Sequence, residues 1–339
     1  MSKLFTQSSS ESALDPNSTN RLIQQLEGLV SEGRNPNTMA LDTLSTYDLL
    51  GVINKEDQKV ALAVANELPN ITAAVDFAVN SIQNGGRLIY VGAGTSGRLG
   101  VLDAVECRPT FSVSDDLVIG IIAGGEKAIT HAVEGAEDCK ESGIKDLQDV
   151  ALTHSDMVVG IAASGRTPYV ISALKYAKSL GCITASVVCN PTSPMLTISN
   201  VGICAQVGPE CLTGSTRMKS GTAQKLILNM LSTATMVKLG KVFENLMVDV
   251  NASNQKLRAR AIRIVMQATT CGQEQAQLSL EKADNSAKLA ILMILTGTDA
   301  SVAKTMLQLN QGHLRNSLEG FPQKSQESES ESDNSKGET

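Results

Sequence analysis

No tryptophan occurs in the 339 residues, and aromatic side chains make up only 3% of them. Proteins that stack unpaired bases need aromatic platforms. With a net charge of −6 there is also no basic run long enough to follow a phosphate backbone. Nucleic acid is therefore excluded as a partner. The three histidines, His131, His154 and His313, stand far apart, which argues against a His/Cys zinc site; no metal is expected. Seven cysteines occur singly, without a Cys-x-x-Cys pair. That is the usage of reduced thiols in a cytosolic chain, with Cys107 and Cys139 read as small core residues. The N-terminal "MSKLFTQSSSESALDP" has no signal-peptide core, and apolar runs such as "LVIGIIA" are of strand length. No membrane association and a cytoplasmic location are expected.

What is present is enough apolar material, 42%, for a large core. Residues 1–20 are polar and Ser-rich and are expected to form a flexible arm. Two helical patterns between Lys55 and Gln83 are separated by Pro69 and stopped by "NGG". Short apolar strands then alternate with amphipathic helices: "LIYVG" with a helix through Glu106 ended by Pro109, "LVIGIIAGG" with a helix over "EKAITHAVEGAED", and "DMVVGIAAS" with "PYVISALKYAKSLG". Two further strands follow, "ITASVVCN" and one near "SNVGICAQV", and then a long helix from about Arg217 to Leu239. The alternation predicts an α/β fold with a parallel, helix-covered sheet and N-terminal helices. This domain is expected over residues 21–249, with a small C-terminal helical bundle over 250–318. The Ser/Glu-rich tail, 319–339, is expected to be disordered.

Gly92, Gly94 and Gly97 spell G-x-G-x-x-G directly after the first strand, the spacing of a dinucleotide-binding turn. Such a fold needs an acid at the end of the second strand. Here that strand ends "IIAGG", and Glu126 lies beyond it at a helix start. Thr95 and Ser96 inside the turn suit a phosphate instead. "AASGRTPY" repeats the design with Ser164, Gly165, Arg166 and Thr167. Two such turns at one sheet edge would offer hydroxyls and helix N-termini to an anion; each alone also reads as an ordinary N-cap. A third segment, "CLTGSTRMKSGTAQK", gathers Thr213, Ser215, Thr216, Arg217 and Lys219; its spacing reads as a solvated helix start with a Ser/Thr cap, although a phosphate site would profit from the fixed charge of Arg217. With histidine scarce, Glu106 and Glu137 are candidates for general acid and base, although Glu134, Glu137 and Asp138 also make an acidic surface face.

"LIYVGAGTSGRLGVLDAVECRPTF", "VGIAASGRTPYV" and "TGSTRMKSGTAQKLILNMLSTATMVKLGKVFENLMVDV" closely resemble the N-acetylmuramic acid 6-phosphate etherase family. The resemblance runs from about Leu22 to Leu318 and includes "SEGRNPNTMALDTLSTYDLL". It implies a three-layer, flavodoxin-like sugar isomerase (SIS) domain, active in the cytoplasm as a homodimer without metal or nucleotide cofactor. The implied reaction cleaves the D-lactyl ether of its substrate with water, giving N-acetylglucosamine 6-phosphate and D-lactate in cell-wall recycling. The resemblance implies that Glu106 and Glu137 are catalytic. It further implies that the sugar phosphate is held by Thr95, Ser96, Ser164, Gly165, Arg166, Thr167, Ser215, Thr216 and Arg217. Three positions depart from the family's usual residues: Arg108 where Pro is common, Ser220 for Ala, and Gly33 in a variable place.

The implied chemistry is physically coherent. Ring opening makes C1 an aldehyde, so the C2 proton becomes acidic. One carboxylate removes it, and a second carboxylic acid protonates the departing lactyl oxygen; water then adds in the reverse sense. Two carboxyl groups in different protonation states are required. Following the family, Glu106 is assigned as proton donor and Glu137 as base. Rivals sharing parts of this design are an aldose–ketose sugar-phosphate isomerase and a phosphosugar-responsive regulator; a dehydrogenase would require NAD binding.

Overall fold

A computed structural model describes residues 29–249 and 255–319. The arm expected over 1–20 and the tail from residue 320 onward lie outside the described residues. The chain divides into two units. One contains the residues up to Pro109 together with Val113–Lys238; the other contains Thr110–Ser112 and the chain from Leu239.

In the first unit, α1 (Thr46–Ala65) and α2 (Leu68–Gln83) precede the sheet. Helix α1 starts nine residues before Lys55, because Ser45 caps it by accepting from Asp48 N at 3.2 Å. Pro69 sits in the first turn of α2, where its missing N–H costs nothing. The sheet follows as β1 (Leu88–Gly92), β2 (Val118–Ile122), β3 (Met157–Ile161), β4 (Ile183–Val188) and β5 (Val201–Cys204), parallel throughout in the order β2-β1-β3-β4-β5. All residues of β1 and β3 are buried, as central strands covered on both faces must be. Alternate residues serve the two layers. Ile89, Val91 and Val158 join the cluster with Val170 and Leu174 of α6 (Pro168–Ser179). Tyr90 turns the other way and donates to Asp103 of α3 (Gly94–Phe111) at 2.9 Å. Asp103 also accepts from Asn229 at 2.6 Å and Ser232 at 3.1 Å, both on α8 (Lys219–Lys238).

Register places the site. Gly92 is level with Ile122 on one side and Ile161 on the other, and Ile161 with Val187. The turns that follow β1, β2, β3 and β4 therefore rise from one carboxyl edge. The strand order reverses between β1 and β3, where doubly wound sheets open a crevice. Just before these strands, Arg87 grips Asp156 through two bonds, Nε–Oδ1 at 3.0 Å and NH2–Oδ2 at 2.8 Å.

Two expected elements differ, and two short helices are new. Helix α3 does not end at Pro109 but runs to Phe111. Proline lacks an N–H and its ring crowds the carbonyl four residues back, but only Thr110 and Phe111 follow it in the helix, so the disturbance is confined to the last turn. The helix expected over Glu126–Asp138 exists only as α4 (Lys127–Thr130), followed by extended chain and a 3-10 turn, Ala136–Asp138. The guanidinium of Arg98 takes the carbonyls of Ile129 at 3.0 Å and His131 at 3.2 Å, which a continuing helix would have used. Gly135, at φ +73°, then reverses the chain. An unforeseen helix, α5 (Lys140–Asp149), occupies the remainder, and a short α7 (Pro194–Ile198) precedes β5.

The second unit begins with a two-stranded hairpin, Val242–Phe243 with Leu246–Met247. Phe243 and Val248 belong to its core with Ala261, Val265, Ile291 and Leu314. This is why the helical unit starts at Leu239 rather than at residue 250. Its helices are α9 (Gln255–Thr269), α10 (Gln273–Lys282), α11 (Ala287–Thr296), α12 (Ala300–Leu309) and α13 (Leu314–Leu318). Among the described residues no single helix is long and apolar enough to cross a membrane; only α11 and α12 pass such a test together, bent by 106°.

Candidate active site

The first turn is shaped by close approach. A Cβ on Gly97 would stand 2.7 Å from Ile122 Cγ1 and 2.8 Å from Gly92 O. The glycine spacing thus lets α3 start tightly over β1 and β2, whatever the ligand. Gly94 opens the helix at φ +54°, leaving first-turn N–H groups without intrahelical acceptors. Thr95 is half-buried. Ser96 is buried and turned inward, donating to Oε1 of Gln224 on α8 at 2.9 Å.

A cavity of about 320 Å³ lies over the ends of β1 and β2, lined by Ala93, Gly94, Arg98, Ala123, Glu134 and Glu137 among others. Glu137 is therefore brought to the first turn, from the 3-10 turn rather than from late in a helix. Glu106 is exposed on α3, three turns along from the glycines, and does not line this cavity. One turn earlier on the same helix, Asp103 is held by the bonds to Tyr90, Asn229 and Ser232. Neighbouring Cys107 is buried, and burial with the charge of Asp103 pushes its thiol up to about 12, so it is no nucleophile. Arg108 reaches away to pair with Asp115.

The second turn is built around Gly165 at φ +64°. Its carbonyl accepts from Ser193 Oγ at 3.1 Å, and a Cβ there would stand 1.8 Å from the same oxygen. The loops after β3 and β4 are thereby joined. Ser164 Oγ accepts the backbone N–H of Arg166 at 3.2 Å, while Thr167 precedes the Pro168 that opens α6. Arg166 borders a second cavity of about 480 Å³ with Thr192, Ser193 and Leu196. Its Nε is buried without a partner.

In the third segment Ser215 and Thr216 are half-buried and Arg217 is exposed. Lys219 is not available to a ligand there. It is 1% exposed and pairs with Glu56 at 2.8 Å. Fully buried Glu210 accepts from Lys219 N and Ser220 N at 2.9 Å each, and so caps α8. Asn35 donates to Glu56 at 2.9 Å and to Pro209 O at 3.1 Å, and Thr38 to Cys211 O at 2.8 Å. The early "EGRNPNT" segment is thus a brace for this loop. Sequence reasoning missed Gln224, Glu56, Glu210 and Asp103. For Gln224 a signal existed: it falls on the apolar stripe Gly221, Ile227, Leu228, Leu231. The other three are identified only by partners distant in sequence. Among the described residues no three His, Cys, Asp or Glu side chains converge as metal ligands would.

The model of the SIS domain matches residues 130–234, and that of the glucokinase regulatory protein N-terminal SIS domain residues 70–178. A relative from Rhizobium rhizogenes named N-acetylmuramic acid 6-phosphate etherase is 60% identical over 298 residues, covering 88% of this chain and 97% of the relative. One of the same name from Pseudoalteromonas atlantica is 58% identical over 297 residues, covering 88% and 97%. A solved phosphoheptose isomerase from Francisella tularensis is 18% identical, covering 57% of this chain and 98% of that one, with a TM-score of 0.44.

Proposed function

The chain belongs to the N-acetylmuramic acid 6-phosphate etherase family, and from this we propose that it cleaves the D-lactyl ether of N-acetylmuramic acid 6-phosphate with water. The products are N-acetylglucosamine 6-phosphate and D-lactate, in cytoplasmic recycling of peptidoglycan. The observation that carries the reading is the level carboxyl edge. Its hydroxyl-bearing turns, Thr95–Ser96 and Ser164–Thr167, follow strands paired in register, and Glu137 shares a cavity with the first turn. Helix N-termini and hydroxyls there suit a phosphate dianion, with Ser215, Thr216 and Arg217 adding to the binding.

In this reading the phosphate anchors the open-chain sugar and holds C2 and C3 in place. Glu137 takes the C2 proton, and electron density moves toward C1. Glu106 donates a proton to the lactyl oxygen as the C3–O bond breaks. Water then adds at C3 of the unsaturated aldehyde, and a proton returns to C2. Neither step calls on a metal or nucleotide. We further propose a homodimer. Leu102 and Val105, 53% and 63% exposed, flank Glu106 on α3, and a second copy over that face would exclude water from the acid.

Solvent exchange tests the roles. In deuterated water, Glu106→Ala should still exchange the C2 proton of recovered substrate, whereas Glu137→Ala should not. The opposite pattern would reverse the assignment, and unimpaired turnover in both variants would end it. The match to the regulatory-protein SIS model favours one alternative, a phosphosugar sensor, which would bind the sugar without releasing lactate.

A further inference from the structure

Gln224 is 1% exposed in the second turn of α8. Two observations meet at its amide. Oε1 accepts the hydroxyl of Ser96 at 2.9 Å, and Nε2 is buried with no partner. One turn earlier Gly221 faces Thr95, whose Cγ2 lies 3.4 Å from where a Cβ on that glycine would stand. Helix α8 is therefore held against the very turn assigned to the phosphate.

A serine hydroxyl carries one proton. While Ser96 gives it to Gln224, it has none to offer a phosphate dianion, which only accepts. Turning the amide over exchanges the roles. Nε2 then donates to Ser96 Oγ, and the hydroxyl proton is freed for the ligand. The two amide orientations occupy the same volume, so the surrounding packing permits either. We propose that Gln224 is a positioning residue for phosphosugar binding, whose amide turns over to make Ser96 a donor to the phosphate. This rests on the reading of Ser96 as a phosphate ligand.

The test uses the full-length protein, calorimetric binding of N-acetylglucosamine 6-phosphate, and KM and kcat for lactate release. Gln224→Met removes both amide functions, and about tenfold weaker binding is expected, with the loss in KM rather than kcat. Gln224→Glu keeps the volume; once its carboxyl is ionised it only accepts, which pins the Ser96 proton, so its loss should be larger and should grow as pH is raised through the pKa of that carboxyl. Since both side chains act through one hydrogen bond, Ser96→Ala/Gln224→Met should bind no worse than Ser96→Ala alone. Additive losses in the double variant, or a fall in kcat without a change in KM, would overturn the proposal. Should Gln224→Met not fold, Gln224→Glu alone and combined with Ser96→Ala gives the same comparison. A wild type that binds the phosphosugar and releases lactate, beside Gln224 variants that match it, removes this proposal only. A wild type that does neither removes the proposed function with it.

Discussion

Replacing Glu56 by Gln keeps the shape of the side chain and deletes its charge. Glu56 is 3% exposed and accepts from Lys219 at 2.8 Å, Asn35 at 2.9 Å, Asn37 at 3.1 Å and Lys59. Burial by itself would raise the carboxyl's pKa. The bonds from Lys219, Lys59, Asn35 and Asn37 outweigh it and bring the value from an ordinary 4.5 to about 2. A drop of about 2.5 units corresponds to about 3 kcal/mol. Removing one partner of a buried pair costs about 3–5 kcal/mol, so the two routes agree. The folded value lies below the unfolded one, so this stability is fully present above the unfolded pKa. It is lost as pH falls through the interval from about 4.5 to about 2. Urea denaturation of wild type and Glu56→Gln at pH 7 and pH 3 reads it directly. The variant should be about 3 kcal/mol less stable at pH 7, with a smaller difference at pH 3. A variant as stable as wild type at pH 7, or a difference unchanged at pH 3, would refute the reasoning.

Gly165→Ala should destabilise by about 1–3 kcal/mol and raise KM, because the new methyl meets Ser193 Oγ and the backbone is left-handed; Ser193→Gly in the same chain should restore part of the urea midpoint. Arg108→Ala breaks only an exposed pair with Asp115. It should therefore cost under about 1 kcal/mol in denaturation and leave kcat/KM within about twofold; a tenfold loss would mean that Arg108 acts on the reacting centre.

The strands were legible because β1, β3 and β4 are short apolar runs bounded by glycine and polar residues, and their burial on both faces follows from that composition. The glycine turn was legible as a turn. Its purpose there, clearance for α3 over Ile122 and Gly92, is visible only once the strands are paired. Pro109 misled because a proline in the last turn disturbs little of a helix, and this one ends two residues later at Phe111. The "EKAITHAVEGAED" pattern misled for a different reason. Arg98, some 30 residues earlier, takes two of its carbonyls, and local periodicity carries no information about such a competitor. Lys219, in the company of Ser215 and Arg217, read as part of a solvated helix start. Its partner Glu56 stands 163 residues away, so only the folded chain distinguishes a buried cation from an available one.

The most direct measurement incubates the full-length protein with N-acetylmuramic acid 6-phosphate and assays D-lactate, with Glu106→Ala alongside. Lactate from the wild type and none from the variant is the expected result. A folded wild type that binds the sugar phosphate and releases no lactate would contradict the account and leave a phosphosugar sensor in its place.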